Sequence, residues 1–238
     1  MRILAFESSA KAASVALLTD GVLTAERYQN DGQTHSRTIL KLAQDLLADC
    51  GLRPGDLDHV AWANGPGSFS GVRIGAAAAK GLCWGTELSC IPVSTLEAMA
   101  WNGIDLEGVI CCCMDARRSQ VYNALFRSAQ GQLLRLQPDR AISLEELSSE
   151  LKAFSERIFL VGDGALLSWE TMHEHLPSLR LLQESHRQQR ASGVALAAYA
   201  AAQHGHWEDP APVAPNYLRL SQAERERLER EQVKERSL

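Results

Sequence analysis

The order of elements legible in the 238-residue chain predicts an α/β protein built twice over. Three observations point that way. Three short apolar strands followed by helix, strand and helix fill the first hundred residues, and the same order begins again near residue 109. The opening strand of each run ends at a carboxylate, Glu7 in the first and Asp115 in the second, 108 positions apart, which marks a structural repeat of about half the chain. The composition, 45% hydrophobic and 22% charged, is that of an ordinary globular protein, and the length suits one large or two small domains. The expected division is an N-terminal α/β lobe over 1–103, a C-terminal α/β lobe over 104–220 and a charged tail over 221–238.

Each element has a local reason. Arg2–Glu7, Ala13–Leu18 and Val22–Tyr28 are apolar runs of strand length, and Asp20-Gly21 between the last two is a two-residue hairpin signal. The polar loop Asn30–Gln33 leads into a helix with Ile39, Leu40, Leu42, Ala43, Leu46 and Leu47 at helical spacing, closed by Gly51. Leu57–Ala63 reads as a strand, Val72–Trp84 as an alanine-rich helix and Leu88–Val93 as a strand. Ser94 or Thr95 then caps a helix to about Asn102. In the second run Val109–Met114 is a strand, Gln120–Arg127 alternates, Gln130-Gly131 turns the chain and Gln132–Leu136 returns. Ser143-x-x-Glu146 is a capping box for a helix to about Phe154, and Ile158–Val161 is a strand closed by Gly162-Asp163-Gly164. The pattern is less regular beyond Gly164, apart from the apolar helix Val194–Ala202. In the tail, charges of both signs cancel and the sparse apolar residues make no stripe, so it reads as a solvated helix or as a segment that orders on a partner.

Charge and composition exclude several functions. With 24 basic and 29 acidic residues the net charge is −5, the wrong sign for a chain that grips nucleic acid by itself. No apolar run approaches the roughly 20 residues of a membrane span, and Glu7 comes too early for a signal peptide, so the expected location is the cytosol. The cysteines at 50, 83, 90, 111, 112 and 113 contain no CxxC pair. Cys111-Cys112-Cys113 reads as buried strand. The histidine pairs His173/His175 and His204/His206 have no metal-site spacing, and HxxxH is absent.

The most informative stretch is Gly65-Pro66-Gly67-Ser68-Phe69-Ser70-Gly71-Val72-Arg73-Ile74-Gly75. It is not a phosphate loop, because Gly75-Ala76-Ala77-Ala78-Ala79-Lys80-Gly81 reverses the order of the Walker pattern and lacks its hydroxyl. Gly67, Gly71 and Gly75 recur every four residues and Ala78 and Ala79 continue a small face, which admits another backbone at short range. This helix and the one over 36–50 form either half of a four-helix bundle completed by another subunit or an arrangement packed inside the domain.

Several blocks together resemble the bacterial TsaB (YeaZ) family. They are Ile3–Ser9, Ser14–Leu17 with Asp20-Gly21, His35, Gly65–Gly75, Pro92–Leu96, Met114–Arg117 with Val121-Tyr122, and Tyr217-Leu218-Arg219. The resemblance covers most of the chain and is strongest over the first 125 residues. It implies an actin/Hsp70-like ATPase (ASKHA) fold with two duplicated lobes, each a mixed sheet flanked by helices. It also implies a non-catalytic role in making N6-threonylcarbamoyladenosine at position 37 of tRNAs reading ANN codons. In that system TsaC makes threonylcarbamoyl-AMP, the metal-bearing paralogue TsaD transfers the group and TsaE is a small ATPase. The TsaB subunit binds TsaD directly, is a homodimer alone, and meets tRNA only through the complex.

The resemblance makes the first two helices the interface for TsaD or for a second copy, through His35, Ile39, Leu42, Ala43, Leu46, Gly71, Arg73, Ile74, Gly75, Ala78 and Leu82. Glu7, Ser8, Ser9, Asp115 and Arg117 stand where a vestigial nucleotide contact would be. No cofactor or metal is expected on this chain, because ATP and metal belong to the partner subunits. The Gly-Gly dipeptide usual in the adenosine turn of this fold is missing, and bulky Arg117-Arg118 follow Asp115 where a phosphate hairpin wants small residues. An interaction protein acting outside tRNA modification, and a metallopeptidase-type or ATPase-type enzyme, are the alternative readings.

Overall fold

The computed structural model describes residues 1–86 and 88–219, so the tail reading for 221–238 lies outside the described residues. In chain order the elements are β1 (Arg2–Glu7), β2 (Ala13–Thr19), β3 (Val22–Gln29), α1 (His35–Asp49), β4 (His59–Ala63), α2 (Phe69–Thr86), β5 (Ser89–Val93) and α3 (Thr95–Ala100). The second run gives β6 (Gly108–Asp115), β7 (Gln120–Ala129), β8 (Gln132–Ser143), α4 (Leu144–Leu151), β9 (Ile158–Val161), α5 (Ala165–Met172), β10 (Leu179–Leu181), α6 (Glu184–Arg187) and α7 (Ala191–Gln203).

The strands form two five-stranded sheets of the same connectivity, ordered β3-β2-β1-β4-β5 and β8-β7-β6-β9-β10. In each, the meander pairs antiparallel and the next two strands add parallel to the first. Ala5 lies opposite Ala16 on one side and Ala61 on the other, as Cys111 lies between Leu125 and Leu160. Both meanders turn on a residue pair with positive φ, Asp20-Gly21 (49° and 81°) and Gln130-Gly131 (52° and 71°). That is the left-handed geometry a two-residue hairpin requires.

Alternation along the central strands supplies two cores per sheet. Leu4 and Phe6 face outward under α1 and α2 with Ile39, Leu46 and Ala79. Ile3 and Ala5 face inward onto Val194, Ala195 and Ala198 of α7. In the second sheet Val109, Cys111 and Cys113 face out against Leu147, Leu151 and Met172 of α4 and α5. Ile110, Cys112 and Met114 face in against Leu96, Met99 and Ala100 of α3. All three consecutive cysteines are fully buried, as the strand reading requires.

The inner helices are exchanged. Helix α3 follows the first sheet and covers the second, while α7 comes last in the chain and covers the first. They cross between the sheets at Gly193, where a Cβ would stand 2.2 Å from the Ala98 carbonyl oxygen. Only glycine admits that approach. The N-terminus of α7 is pinned by β3 and β2: Arg190 Nη2 donates to Glu26 Oε2 at 2.7 Å, the Ser192 amide to Glu26 Oε1 at 3.0 Å, and the Ala191 amide to Ser14 Oγ at 2.8 Å. Five layers result, α1/α2, sheet, α3/α7, sheet, α4/α5, the two-lobed actin/Hsp70-like arrangement.

Some boundaries move, with identifiable causes. Helix α2 starts three residues before Val72, because Ser68 accepts the Val72 amide at its carbonyl and the Gly71 amide at its Oγ. Strand β8 runs past Leu136 through Pro138. It is an edge strand, and its pairing skips from Gln137 to Arg140, so the missing proline N–H costs no ladder bond. That irregularity brings Asp139 to Ser94 Oγ, 2.6 Å away across the lobes.

Candidate functional site

The crevice at the carboxyl ends of the central strands, where ligands bind in open α/β sheets, collects the residues expected for a nucleotide contact. Glu7 ends β1 and is 1% exposed. Its Oε1 accepts the Ser9 amide at 2.5 Å, while Oε2 is buried without a partner among the described residues. Burial pushes its carboxyl up to about 7, against the lowering effect of the Ser9 amide bond and with the negative charge of Asp163 raising it further. Ser8 Oγ donates to the Gly71 carbonyl at 2.9 Å, and Ser9 Oγ is buried and unpaired among the described residues. Across the crevice, Asp115 ends β6 and accepts the Arg117 amide at 2.7 Å and the Arg117 guanidinium at 3.2 Å.

Asp163 links the two sides and was missed from sequence. It sits in the Gly162–Gly164 turn after β9, accepts Gln189 Nε2 at 2.8 Å, and is held above its usual carboxylate value by burial, with Asp115 adding to the rise. The repeat held the only signal for it, since this turn follows β9 as the Asn64-Gly65 turn follows β4. The crevice floor is thus acidic, and Arg117 points to solvent. No group of three or more His, Cys, Asp or Glu side chains among the described residues has the geometry of a metal site. What these groups can do is hold a proton on Glu7 near neutrality and present carboxylates to a small ligand.

Most of the residues expected at the interface are packed within the chain. Gly67 and Gly71 face the Ser8–Ser9 backbone, with added Cβ atoms at 2.6 and 2.1 Å from the Ser9 and Ser8 oxygens, and a Cβ on Gly75 would stand 2.6 Å from Ser8 Oγ. The small face is therefore used inside the chain, to seat the β1 loop against α2. Ile39, Ala43, Leu46 and Ala78 are buried in the outer core, with Leu42, Ile74 and Leu82 packed against it. His35 is half-buried, its Nε2 2.8 Å from the Ala10 carbonyl oxygen. Of the named residues only Arg73 is exposed. Its guanidinium lies 3.9 Å from the Phe69 ring centre, and its Nε donates to Tyr217 Oη at 2.7 Å.

The surface that α1 and α2 leave to solvent is the opposite stripe. On α2 it is Ser70, Arg73, Ala77, Gly81 and Trp84, with Trp84 83% exposed. On α1, Leu40 is 51% exposed beside Arg37, Lys41 and Gln44. Reading α2 for its small-residue face passed over this stripe, and Trp84 at helical spacing from Ala77 and Gly81 was its signal.

Comparison with known proteins places this geometry. A family model described as TsaD, tRNA N6-adenosine threonylcarbamoyltransferase, matches residues 29–226. A Bacillus subtilis protein named tRNA threonylcarbamoyladenosine biosynthesis protein TsaB is 32% identical, over 96% of this chain and 99% of its own length. The Escherichia coli protein of the same name is 35% identical over 69% of this chain and 72% of its own. The solved structure of YeaZ from Pseudomonas aeruginosa matches the fold with a TM-score of 0.75 at 24% identity, covering 91% of this chain and 99% of that one.

Proposed function

This chain belongs to the TsaB (YeaZ) family, and from that premise we propose that it is a non-catalytic subunit required for threonylcarbamoyl transfer to adenosine 37 of tRNA. The observation that carries this is the match to the Bacillus subtilis TsaB along almost the whole of both chains. In this reading it acts in the cytoplasm, and the chemistry belongs to the partners: TsaD performs the transfer and TsaE completes the complex. No helix among the described residues is long and apolar enough to cross a membrane.

The partner face in this reading is the exposed stripe of α1 and α2. Small residues at 77 and 81 let a partner helix approach closely, Trp84 and Leu40 supply apolar area, and α2 offers only Arg73 and Lys80 as charges along its length. Two such helices from TsaD complete a four-helix layer, and a second copy of this chain does so when TsaD is absent. Gly71, Gly75, Ile39 and Leu46 support that face from beneath. Glu7, Ser8, Ser9, Asp115 and Arg117 are kept as the place of a vestigial nucleotide contact.

A dropout assay tests the role. TsaC, TsaD, TsaE, unmodified tRNA, threonine, bicarbonate and ATP are mixed with and without this chain, and threonylcarbamoyladenosine is quantified. Product only with the chain is expected, and equal product in both tubes overturns the proposal. For the face, Ala77→Glu and Trp84→Ala remove the fit without touching the core. Each is expected to weaken TsaD binding at least about tenfold by calorimetry, or about 1.4 kcal/mol. Unaltered binding by both moves the interface off these helices.

A further inference from the structure

We propose that Val213–Arg219 is a strap that ties the two lobes across the crevice and limits how far the crevice opens. The first-lobe end is anchored at several points. Val213 is buried in the outer core. Asn64 Nδ2 donates to the Ala214 carbonyl at 3.0 Å, and the Asn216 amide to the Asn64 carbonyl at 2.7 Å. Gly65 leaves no room between loop and strap, since a Cβ there would stand 2.5 Å from the Asn216 oxygen. Tyr217 stacks on Phe69 with ring centres 4.7 Å apart and accepts the Arg73 hydrogen bond. Two residues on, the chain has reached the second lobe. Arg219 Nη1 donates to the Ala116 carbonyl at 2.7 Å, and its guanidinium lies 5.9 Å from the Tyr122 ring centre.

The residue gripped at the far end precedes a strained turn. Arg117, Arg118 and Ser119 have φ of 65°, 55° and 55°, three successive non-glycine residues in the left-handed region. Such residues persist only where their surroundings hold them. The turn's own Ala116 amide on the Gln120 carbonyl and Gln120 amide on the Arg117 carbonyl close it, and it is further held by the Asp115 carboxylate on the Arg117 amide, the Leu144 amide on the Ser119 carbonyl, and Arg219 on Ala116. Releasing Arg219 removes the strap's hydrogen bond to this turn, so the turn loosens and the Asp115 side of the crevice is freed from the Glu7 side. The strap thereby controls access to the acidic floor formed by Glu7, Asp115 and Asp163. This inference concerns the chain alone and stands whether or not the partner face is on α1 and α2.

Amide hydrogen exchange by NMR on the full chain tests it. In Arg219→Ala, amides of 115–120 are expected to exchange at least tenfold faster. The Ser9 amide, which is held by Glu7 and not touched by Arg219, is expected to speed up with them, while the amides of central β6 keep their protection. Tyr217→Ala, which removes the anchor nearest Arg219 at an exposed side chain, is expected to give the same two-site pattern in weaker form. Acceleration confined to 115–120 in Arg219→Ala shows a local contact and overturns the proposal. So does no change at either site, or uniform acceleration through β6 in both variants.

Discussion

The two lobes share one topology and differ in their outer helices. Helices α1 and α2 are 15 and 18 residues long, whereas α4 and α5, in the corresponding places, have 8 residues each. Strand order, pairing and the crossed inner helices are common to both halves, so the frame sets them. The longer outer layer of the first lobe exceeds what covering a five-stranded sheet requires, because the second sheet is covered with half the length. The excess presents Leu40, Ala77, Gly81 and Trp84 to solvent, which is where the partner proposal rests. A duplicated fold thus separates what the architecture demands from what one copy adds.

If the lobes are bound into one unit by their exchanged helices, the largest effect comes from their crossing. Gly193→Leu forces a side chain against the Ala98 backbone and is expected to cost about 4 kcal/mol or more. Urea unfolding followed by NMR should show β1 and β6 signals lost together; separate transitions break the comparison. Next is Glu7, buried in the first lobe where its counterpart Asp115 is partly exposed. Its carboxyl rises from 4.5 to about 7 in the folded chain. Its favourable contribution is therefore full below pH 4.5 and is lost as pH climbs through 7. The loss is about 3 kcal/mol at 1.36 kcal/mol per unit, and Glu7→Gln should flatten that part of the stability curve measured by urea titration.

Glu26→Ala removes the acceptor that receives both the Arg190 guanidinium and the Ser192 amide at the start of α7. A loss of about 2 kcal/mol is expected, read as a lower denaturation midpoint. The smallest effect sharpens the contrast of the outer helices. Ser143 caps α4 with a reciprocal Glu146 bond, whereas Thr34 makes no side-chain cap on α1. Ser143→Ala should cost about 1 kcal/mol and Thr34→Ala almost nothing by thermal melting.

Most of the frame was legible in sequence. The first five strands fall within two residues of where alternation and turn residues put them, and the Ser143 capping box opens α4 as expected. Helix α5 and strand β10 escaped because elements of 8 and 3 residues show too little of a period to read. The exchange of α3 and α7 escaped because an apolar stripe says that a face is covered and not by what. The same ambiguity bears on the residues expected at the interface. The periodicities of Ile39–Leu46 and Gly67–Gly75 were real, but they recorded packing on the chain's own sheet and on Ser8–Ser9. In the crevice, Glu7 and Asp115 were visible as strand-ending carboxylates. Asp163 and the strap depend on contacts between distant segments that no local pattern encodes.

The return of α7 to the first sheet also bears on synthesis. Ile3, Ala5, Ala16, Ala61 and Ile91 present an apolar inner face from the moment β1–β5 emerge from the ribosome, yet the helix that covers it begins at Ala191. Roughly a hundred further residues must be translated before that cover exists. At about 5–20 residues per second the nascent first lobe spends some seconds to tens of seconds half-clad. That makes it a client for chaperones which bind apolar β-surface, and it makes deletion of α7 more damaging than the loss of its 13 residues suggests.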